Sequence, residues 1–395
     1  MQRILFVDDE PAILAGLRQL LRKQRNEWSM QFVEGGTAAI ELLDRESFDV
    51  VVSDMRMPKV DGVAVLRYVK ERHPETVRIV LSGYSTHEDS LKVLPIAHHF
   101  LSKPCRVDTL KTVIIRACGL KSLFAGEELH RIVGSMESLS TAPETYMKLM
   151  QAIANQNSSA RELAGIVESD PALMAKVLQV ANSAFFGLPQ ATYQIDKAIS
   201  SLSINMLRHI VLGLEVFSKV DSTNKIDGFS VEIVQQEALA VGALAKKILA
   251  SEGHVAEEAM LGGMLHDVGQ LVLATHKPER LRETLEIANR EQICIYQAEH
   301  DHFSVGHAEI GAYLLGIWGL PYPVVEAVAY HHCPSRVPEL KMGPLVAVHL
   351  ADAILSAQRR GSPTLERSEL DWNCIESLEL EPKLEQWQVL AQKSL

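Results

Sequence analysis

Acidic, hydroxyl and lysine side chains stand directly after short apolar runs in the amino-terminal third of the sequence. Asp8 and Asp9 follow the first run, and Asp54 follows a run of valines. Ser82 and Lys103 follow two later runs. In an open parallel sheet the carboxyl ends of the strands face one crevice, so these side chains can converge there.

A pocket with this composition is suited to phosphoryl transfer. Three carboxylates in one pocket repel each other, and a hard divalent cation such as Mg2+ relieves that repulsion through oxygen ligands. A carboxylate is a competent nucleophile and forms an aspartyl-phosphate, while the cation neutralises the charge that develops during transfer. Lys103 supplies a positive charge for the phosphoryl oxygens, and Ser82 supplies a hydroxyl donor.

The elements that would position these residues alternate between short strands and amphipathic helices. Runs typical of strands occur at Ile4–Val7, Met30–Val33, Val50–Val52, Val77–Leu81 and Phe100–Leu101. Helical patterns lie between them at Ile13–Leu21, Ala38–Leu43 and Val63–Val69. This alternation predicts a parallel sheet with helices on both faces.

The motifs of this region, in their order, resemble the receiver domain of two-component response regulators. They are Asp8-Asp9, Asp54-Met55-Arg56-Met57-Pro58, Asp61-Gly62, Ser82-Gly83 and Lys103-Pro104. The resemblance implies a doubly wound, flavodoxin-like fold with a five-stranded parallel sheet over residues 1–120. It also implies a sensor histidine kinase as the phosphoryl donor.

The resemblance further implies a role for each site residue. Asp54 is the phosphoacceptor and acts with Lys103 and Ser82 as the catalytic group. Ser82 and Phe100 take the two switch positions. The implied Mg2+ ligands are Asp8, Asp9, Asp54 and the backbone carbonyl of Arg56.

Past residue 120 the strand signal fades and helical periodicity dominates. Ser159 to Glu162 has the form of a capping box, and Asp170-Pro171 looks like an N-cap followed by proline at the first helical position. We expect a linker helix at 121–138, an all-α domain at 139–338, and a further helix with a polar tail at 339–395.

Histidine and aspartate residues recur along the helical domain at His266, Asp267, His307, His331, His332 and Asp352. His349 and Asp352 are three residues apart and share a helix face. Such a cluster can bind a second divalent metal, which would activate water for phosphate-ester hydrolysis. The alternative is a polar network in which buried histidines and aspartates satisfy each other without a metal.

This half of the sequence resembles the HDOD branch of the HD superfamily, whose all-α fold contains metal-dependent phosphohydrolases. The matching motifs are Leu163–Val167, Asp170-Pro171, Ala181-Asn182-Ser183, Gly306-His307, Trp318, Leu320-Pro321 and His331-His332. The resemblance implies a non-catalytic signalling module over residues 139–338.

Two departures from active HD enzymes weaken a catalytic reading. The helix predicted at 230–250 lacks the first histidine of those enzymes, and Gln236 and Glu237 occupy the corresponding place. Gln270 stands where active enzymes carry a lysine. Glu237 would replace the histidine in part, because carboxylate oxygen also binds divalent metals. The degenerate site therefore comprises Glu237, His266, Asp267, His307, His331, His332 and Asp352.

Composition and net charge argue against several other classes of protein. The formal net charge of -11 argues against direct DNA binding, because phosphate backbones select basic surfaces. The 5 cysteines form no CxxC pair and are typical of free thiols in a reducing cytoplasm. No apolar stretch approaches the roughly 20 residues that a membrane span needs.

The sequence thus predicts a cytoplasmic response regulator in which phosphorylation of Asp54 controls the helical domain. That domain would expose or hide a surface for an unidentified downstream signalling protein. The alternative is a receiver-controlled, metal-dependent phosphohydrolase of nucleotides or cyclic dinucleotides. The missing histidine and lysine favour the non-enzymatic hypothesis.

Overall fold

A computed structural model describes residues 1–82, 96–103, 105, 107–123, 127–135, 145, 148–149, 152, 158–182, 192–202, 207, 226–359 and 370–392. The first part contains a five-stranded sheet with strand order β2-β1-β3-β4-β5, in which every neighbouring pair is parallel. The strands are β1 (Gln2–Asp8), β2 (Trp28–Glu34), β3 (Val50–Asp54), β4 (Val77–Ser82) and β5 (His99–Ser102). The predicted flavodoxin-like sheet is confirmed.

Helices cover both faces of this sheet because side chains alternate along each strand. Ile4 and Phe6 pack into one core with Ile114, whereas Leu5 and Val7 pack into the opposite core. The helices of this domain are α1 (Pro11–Leu20), α2 (Gly36–Leu43), α3 (Gly62–Arg72) and α4 (Val107–Leu123), with a 3-10 helix at Arg22–Asn26.

The second part contains helices and no strand among its described residues, as predicted. It begins with α5 (Glu127–Ser135), which lies in the region predicted as a linker. The next helices are α6 (Ala160–Glu168), α7 (Pro171–Ala181), α8 (Ile195–Ser201), α9 (Val231–Ser251), α10 (Glu257–Leu265) and α11 (Val268–His276). The series continues with α12 (Pro278–Glu291), α13 (Ile295–His302), α14 (His307–Ile317), α15 (Tyr322–Tyr330) and α16 (Pro344–Arg359).

The predicted helix starts are confirmed by their hydrogen bonds. The Ser159 side chain accepts from the Glu162 backbone N–H at the start of α6. Asp170 accepts from the Leu173 N–H at 3.0 Å, and Pro171 opens α7. Both caps satisfy N–H groups that have no partner within the helix.

The carboxyl-terminal segment, expected as a polar tail, is packed over residues 370–392. It forms α17 (Trp372–Ser377), a 3-10 helix at Glu381–Lys383 and α18 (Leu384–Gln392). Trp387 is fully buried against the core that α9 and α16 share, and its indole N–H donates to Ser251 Oγ at 3.3 Å. The sequence pattern did not predict this packing because apolar residues are sparse in the segment. A few large side chains supply most of the buried area.

The two parts also contact each other, because α4 packs against α14. None of the described helices combines the length and the apolarity needed to cross a bilayer.

Removing the Trp387 side chain tests whether the carboxyl-terminal segment stabilises the fold. We expect Trp387→Ala to lower the free energy of unfolding by about 3–5 kcal/mol, because it empties a buried site. Val389→Ala on the same helix is the matched control, since Val389 is 42% exposed. Urea unfolding followed by circular dichroism measures both, and equal stability of the two variants would contradict the packing role.

Candidate functional sites

The register of the sheet brings the first set of polar residues to one edge. Val7 pairs with Ser53 on the neighbouring strand, so Asp8 and Asp54 follow at the same level. Ser82 pairs with Ser102, and Lys103 comes directly after that pair. All the predicted strand-end residues therefore lie at the carboxyl edge of the sheet, as parallel strands require.

Lys103 joins the two buried carboxylates of this edge. Its amine donates to Asp8 Oδ2 at 2.7 Å and forms a second ion pair with Asp54 Oδ1. The Glu10 backbone N–H donates to the other oxygen of Asp8 at 3.0 Å. The Arg56 N–H donates to Asp54 Oδ2 at 2.9 Å. Each carboxylate is thus held at both oxygens.

Burial and the lysine act in opposite directions on this pocket. Burial raises the pKa of Asp54 above its usual value, and Lys103 offsets only part of that rise while Asp8 adds to it. Burial lowers the pKa of Lys103, but its bonds to Asp54 and Asp8 outweigh burial and the net pKa is raised. One ammonium group therefore compensates two carboxylates incompletely.

The loop after β3 depends on a residue without a side chain. A Cβ on Gly62 would fall 1.8 Å from the Asp54 carbonyl oxygen, so α3 can begin this close only with glycine. Asp61 caps the same helix by accepting from the Ala64 N–H at 2.8 Å. The Asp61-Gly62 motif thus anchors α3 against the phosphoacceptor candidate.

The other predicted residues of this site are less closely described. Asp9 follows Asp8 and is half-buried, and the Arg56 side chain is exposed. Ser82 and Phe100 lie on β4 and β5, but their side chains are outside the described set. The switch roles of both residues stay predictions.

The second set of residues surrounds Asp267, which lies between α10 and α11. His266 Nε2 is 3.3 Å from Asp267 Oδ2, and His307 Nε2 is 3.2 Å from Asp267 Oδ1. His331 Nε2 is 3.9 Å from the same Oδ1. The cluster also contains His332, whose Nε2 is 3.0 Å from His307 Nε2, and Asp352, 3.9 Å from His266.

Three of these imidazoles are oriented through their Nδ1 atoms. His266 Nδ1 is 2.7 Å from the Gly263 carbonyl, and His331 Nδ1 is 2.9 Å from the Val328 carbonyl. A carbonyl oxygen only accepts, so both Nδ1 atoms carry the proton and donate. His307 Nδ1 lies 2.6 Å from the Glu299 carboxylate and donates in the same way.

The Nε2 atoms of these imidazoles consequently face Asp267. His331 Nε2 is buried and makes no hydrogen bond to any residue that the structure describes. Burial lowers the pKa of His331 well below its usual value, and the neighbouring His266 lowers it further. Metal-binding histidines are typically neutral: Nε2 and a nearby carboxylate bind the ion, while Nδ1–H donates to a second group that orients the ring. His331 has this arrangement.

Without a metal, the negative charge of the cluster favours bound protons on its histidines. Burial lowers the pKa of His266, but Asp267 and Asp352 outweigh it and raise the pKa to about 9. Burial likewise lowers the pKa of His307, while Glu299 and Asp267 raise it well above its usual value. Burial raises the pKa of Asp267, and the two histidines bring it well below its usual value.

Glu299 is a functional candidate that the sequence reasoning missed. It is fully buried on α13 and accepts from the His307 backbone N–H at 2.9 Å as well as from the ring. No motif spacing marks it, because it acts through the packing of α13 against α14. Its only sequence signal is an acid in the helix preceding His307.

Other predicted positions fall outside the cluster. Among the described residues, the two groups with metal-binding spacing are Asp267, His307, His331 and His332, and His266, His331 and Asp352. Glu237 is half-buried on α9 and belongs to neither group, and Gln270 is buried on α11. His349 donates to the His331 carbonyl at 2.6 Å and accepts from the Asp371 N–H, so it supports the His331 backbone.

Comparison with known families identifies both domains. Residues 4–115 match the response regulator receiver domain, and residues 139–334 match the HDOD domain. The chain belongs to the response regulators of signal transduction and joins a receiver domain to an HDOD domain. A receiver domain implies a phosphoryl donor such as a histidine kinase.

Individual proteins are similar to parts of this chain. The MmoQ response regulator of Methylococcus capsulatus str. Bath is 25% identical, with 64% of this chain and 98% of that chain covered and a TM-score of 0.49. An uncharacterized protein of Treponema pallidum is 25% identical, covering 55% of this chain and 42% of that protein. The hydrogenase transcriptional regulatory protein HoxA of Bradyrhizobium diazoefficiens is 35% identical, covering 30% of this chain and 24% of that protein. The chain spans less than half the length of these two curated relatives.

Replacing Lys103 tests the electrostatics of the receiver pocket. We expect Lys103→Met to raise the pKa of Asp54 further, because the lysine is the main group that lowers it. A carboxyl with a raised folded-state pKa loses stabilising free energy as pH rises through that pKa, since the unfolded chain ionises more readily. Carbon NMR titration of Asp54 in the presence of a chelator measures the shift. Lys23→Met, at an exposed position, is the control, and an unchanged or lower Asp54 pKa in Lys103→Met would contradict the assignment.

Proposed function

We propose that the protein is a cytoplasmic response regulator that accepts a phosphoryl group on Asp54 from a histidine kinase. The observation that carries this proposal is the convergence of Asp8, Asp54 and Lys103 at one edge of the sheet. A carboxylate beside a lysine can attack phosphorus and keep the charge of the product compensated.

The transfer step follows from the contacts of Asp54. A carboxylate oxygen of Asp54 forms the new P–O bond, while the N–P bond of the kinase phosphohistidine breaks and its nitrogen keeps the electron pair. Lys103 lies within reach of the same carboxylate and compensates the phosphoryl oxygens. The Arg56 N–H holds Oδ2 of Asp54, so Oδ1 is the oxygen available for attack once Lys103 turns to the phosphoryl group.

The donor set of this edge fits Mg2+. Two carboxylates are buried there with one ammonium group, and Asp9 adds a third carboxylate next in the chain. Asp8, Asp9, Asp54 and the Arg56 carbonyl would hold the ion, and such oxygen ligands are those that Mg2+ prefers. When bound, the ion would neutralise negative charge during the transfer.

The HDOD domain is the output in this proposal. Phosphorylation would change how it presents a surface to a downstream signalling protein, so the domain acts by binding and not by turnover. Gln270 and the absence of a histidine on α9 argue against catalysis, since active HD enzymes use both positions. Charge added at Asp54 would bias a two-state arrangement of the domains.

We also propose that the HDOD domain holds a divalent metal at the Asp267 cluster. The supporting observation is that His266, His307 and His331 are each fixed through Nδ1 and direct Nε2 at Asp267. The unpartnered Nε2 of His331 has no role in a network that lacks a metal. Nitrogen and carboxylate ligands together suit a transition metal such as Zn2+ or Mn2+. If the loaded domain also hydrolyses a nucleotide or a cyclic dinucleotide, the phosphohydrolase alternative is correct.

Intact-mass spectrometry after incubation with acetyl phosphate and Mg2+ tests the phosphoacceptor. We expect the wild-type chain to gain one phosphoryl group and Asp54→Asn to gain none, because the amide is not a nucleophile. Asp108→Asn, an exposed aspartate in the same domain, is the matched control and should label like the wild type. Wild-type labelling of Asp54→Asn would contradict the proposal.

Metal analysis of protein purified without a histidine tag tests the second site. We expect about one metal ion or more per chain in the wild type and in His300→Ala, whose side chain is exposed, and loss of metal in Asp267→Ala. Glu299→Gln should weaken metal affinity by about 10–100-fold, because Glu299 supports a ligand without touching the ion. Metal-free wild type after reconstitution would contradict the site, and turnover of cyclic dinucleotides lost in Asp267→Ala would establish the hydrolase.

A further inference from the structure

The helix α5 is held at its two ends by different domains. In its first turn, Glu128 accepts from Arg280 Nη1 and from Ser304 Oγ, each at 2.7 Å, and both donors belong to the HDOD domain. At the other end the Gly134 carbonyl accepts from Arg78 Nη2 of the receiver at 2.9 Å. The last carbonyls of a helix have no partner within the helix, so Arg78 caps α5 from the neighbouring domain.

The middle of α5 belongs to the HDOD core. Leu129, Ile132 and Val133 are buried in the cluster that contains the residues of α7 and α14. The His130 ring lies 4.9 Å from the Tyr313 ring of α14. A movement of the α5 carboxyl end therefore changes the packing of the HDOD domain directly.

The receiver and α5 approach each other very closely at Gly134. A Cβ on Gly134 would fall 1.5 Å from the Pro74 carbonyl oxygen, a distance that no side chain tolerates. Any residue other than glycine would thus separate the helix from the receiver. Glycine weakens a helix interior, so helix propensity does not explain its presence at position 134. The close packing against Pro74 does.

Among the described residues, no carboxylate pairs with Arg78 at this contact. The side chain is buried, and among the described residues its acceptors are His98 Nε2 at 2.8 Å and backbone carbonyls such as those of Ile96 and Gly134. Burial lowers the pKa of Arg78 to about 9. A buried cation whose described partners are neutral acceptors depends on each of them, so loss of the Gly134 carbonyl would weaken the contact.

Strands β4 and β5 connect this contact to the phosphorylation site. Arg78 lies near the start of β4, and the strand ends at Ser82, about 13 Å further on at the usual rise per residue. His98 precedes β5 and is bonded through its backbone N–H to the Arg78 carbonyl at 2.8 Å, while Lys103 follows the same strand. The Gln179 side chain of α7 donates to the His98 carbonyl at 3.3 Å, so the HDOD domain also contacts His98.

We propose that β4 and β5 transmit the phosphorylation state of Asp54 to α5, and that the hydrogen bond from Arg78 to Gly134 is the contact that phosphorylation releases. The inference rests on the proposed phosphorylation of Asp54. Lys103 leaves Asp8 for the phosphoryl oxygens, which shifts β5 and the His98 that precedes it. Arg78 then loses its alignment with the Gly134 carbonyl, and α5 is freed from the receiver.

Hydrogen-exchange mass spectrometry of the full chain tests this connection through peptides that cover residues 127–135. We expect Gly134→Ala to speed exchange of α5 about tenfold without phosphorylation, the effect of losing one hydrogen bond from a charged donor. Gly165→Ala on α6 is the matched control, because a Cβ there meets nothing within 4 Å and exchange of α5 should stay unchanged. Alanine favours a helix over glycine, so faster exchange in Gly134→Ala reports the lost contact alone.

A second pair of variants changes the receiver side. Arg78→Gln should give the same faster exchange of α5, and Arg22→Gln, at an exposed arginine, should not. Phosphorylation should speed exchange of α5 in the wild type and add nothing further in Gly134→Ala. Intact mass is recorded on every sample, so absence of added phosphate would overturn the proposed function and the coupling with it. Phosphate added to Asp54 with unchanged exchange of α5, or wild-type exchange in folded Gly134→Ala, would overturn the coupling alone.

Discussion

The ion pairs that Lys103 makes with Asp8 and Asp54 are the interaction on which the receiver depends. Two buried carboxylates from adjacent strands are unfavourable together, and one ammonium group compensates them only in part. The parallel register makes the arrangement unavoidable, since β1, β3 and β5 all end at this edge. The negative charge of the pocket is therefore only partly compensated, which supports the proposed binding of a divalent cation and of a phosphoryl group.

The HDOD cluster solves a related problem with different groups. Asp267 is a partly buried carboxylate surrounded by imidazoles, and no lysine or arginine compensates it among the described contacts. Compensation must come from protons on His266 and His307 or from a cation that the Nε2 atoms bind. In either case the oxygen atoms that accept from Nδ1 fix the rings. Glu299 adds a second carboxylate on the Nδ1 side of His307, which favours a positive charge on the imidazole or at its Nε2.

The positions of the receiver residues at one edge of the sheet were predictable, because each residue lies at the end of a strand that an apolar run in the sequence indicates. The strands and helices follow from local periodicity, and the cap at Asp170 follows from the residue types. The positions of Glu299 and Arg78 were not predictable, since both act through packing between segments far apart in the sequence. Glu237 shows the opposite failure: its place on α9 suggested a ligand, yet helix position alone does not determine which side chains meet Asp267. The buried Trp387 was hidden by the polar residues around it.

The helix α14 links the two halves of the molecule physically. It starts at His307 beside Asp267, carries Tyr313 against His130 of α5, and packs along α4 of the receiver. Whatever moves α5 relative to the receiver must therefore act on the helix that supplies one side of the histidine cluster. Coupling free energy is reciprocal, so a ligand at the cluster that prefers one arrangement of α14 would also alter the equilibrium of the receiver. Under the proposed function, the contacts of α14 would thus connect the HDOD domain to the receiver in both directions.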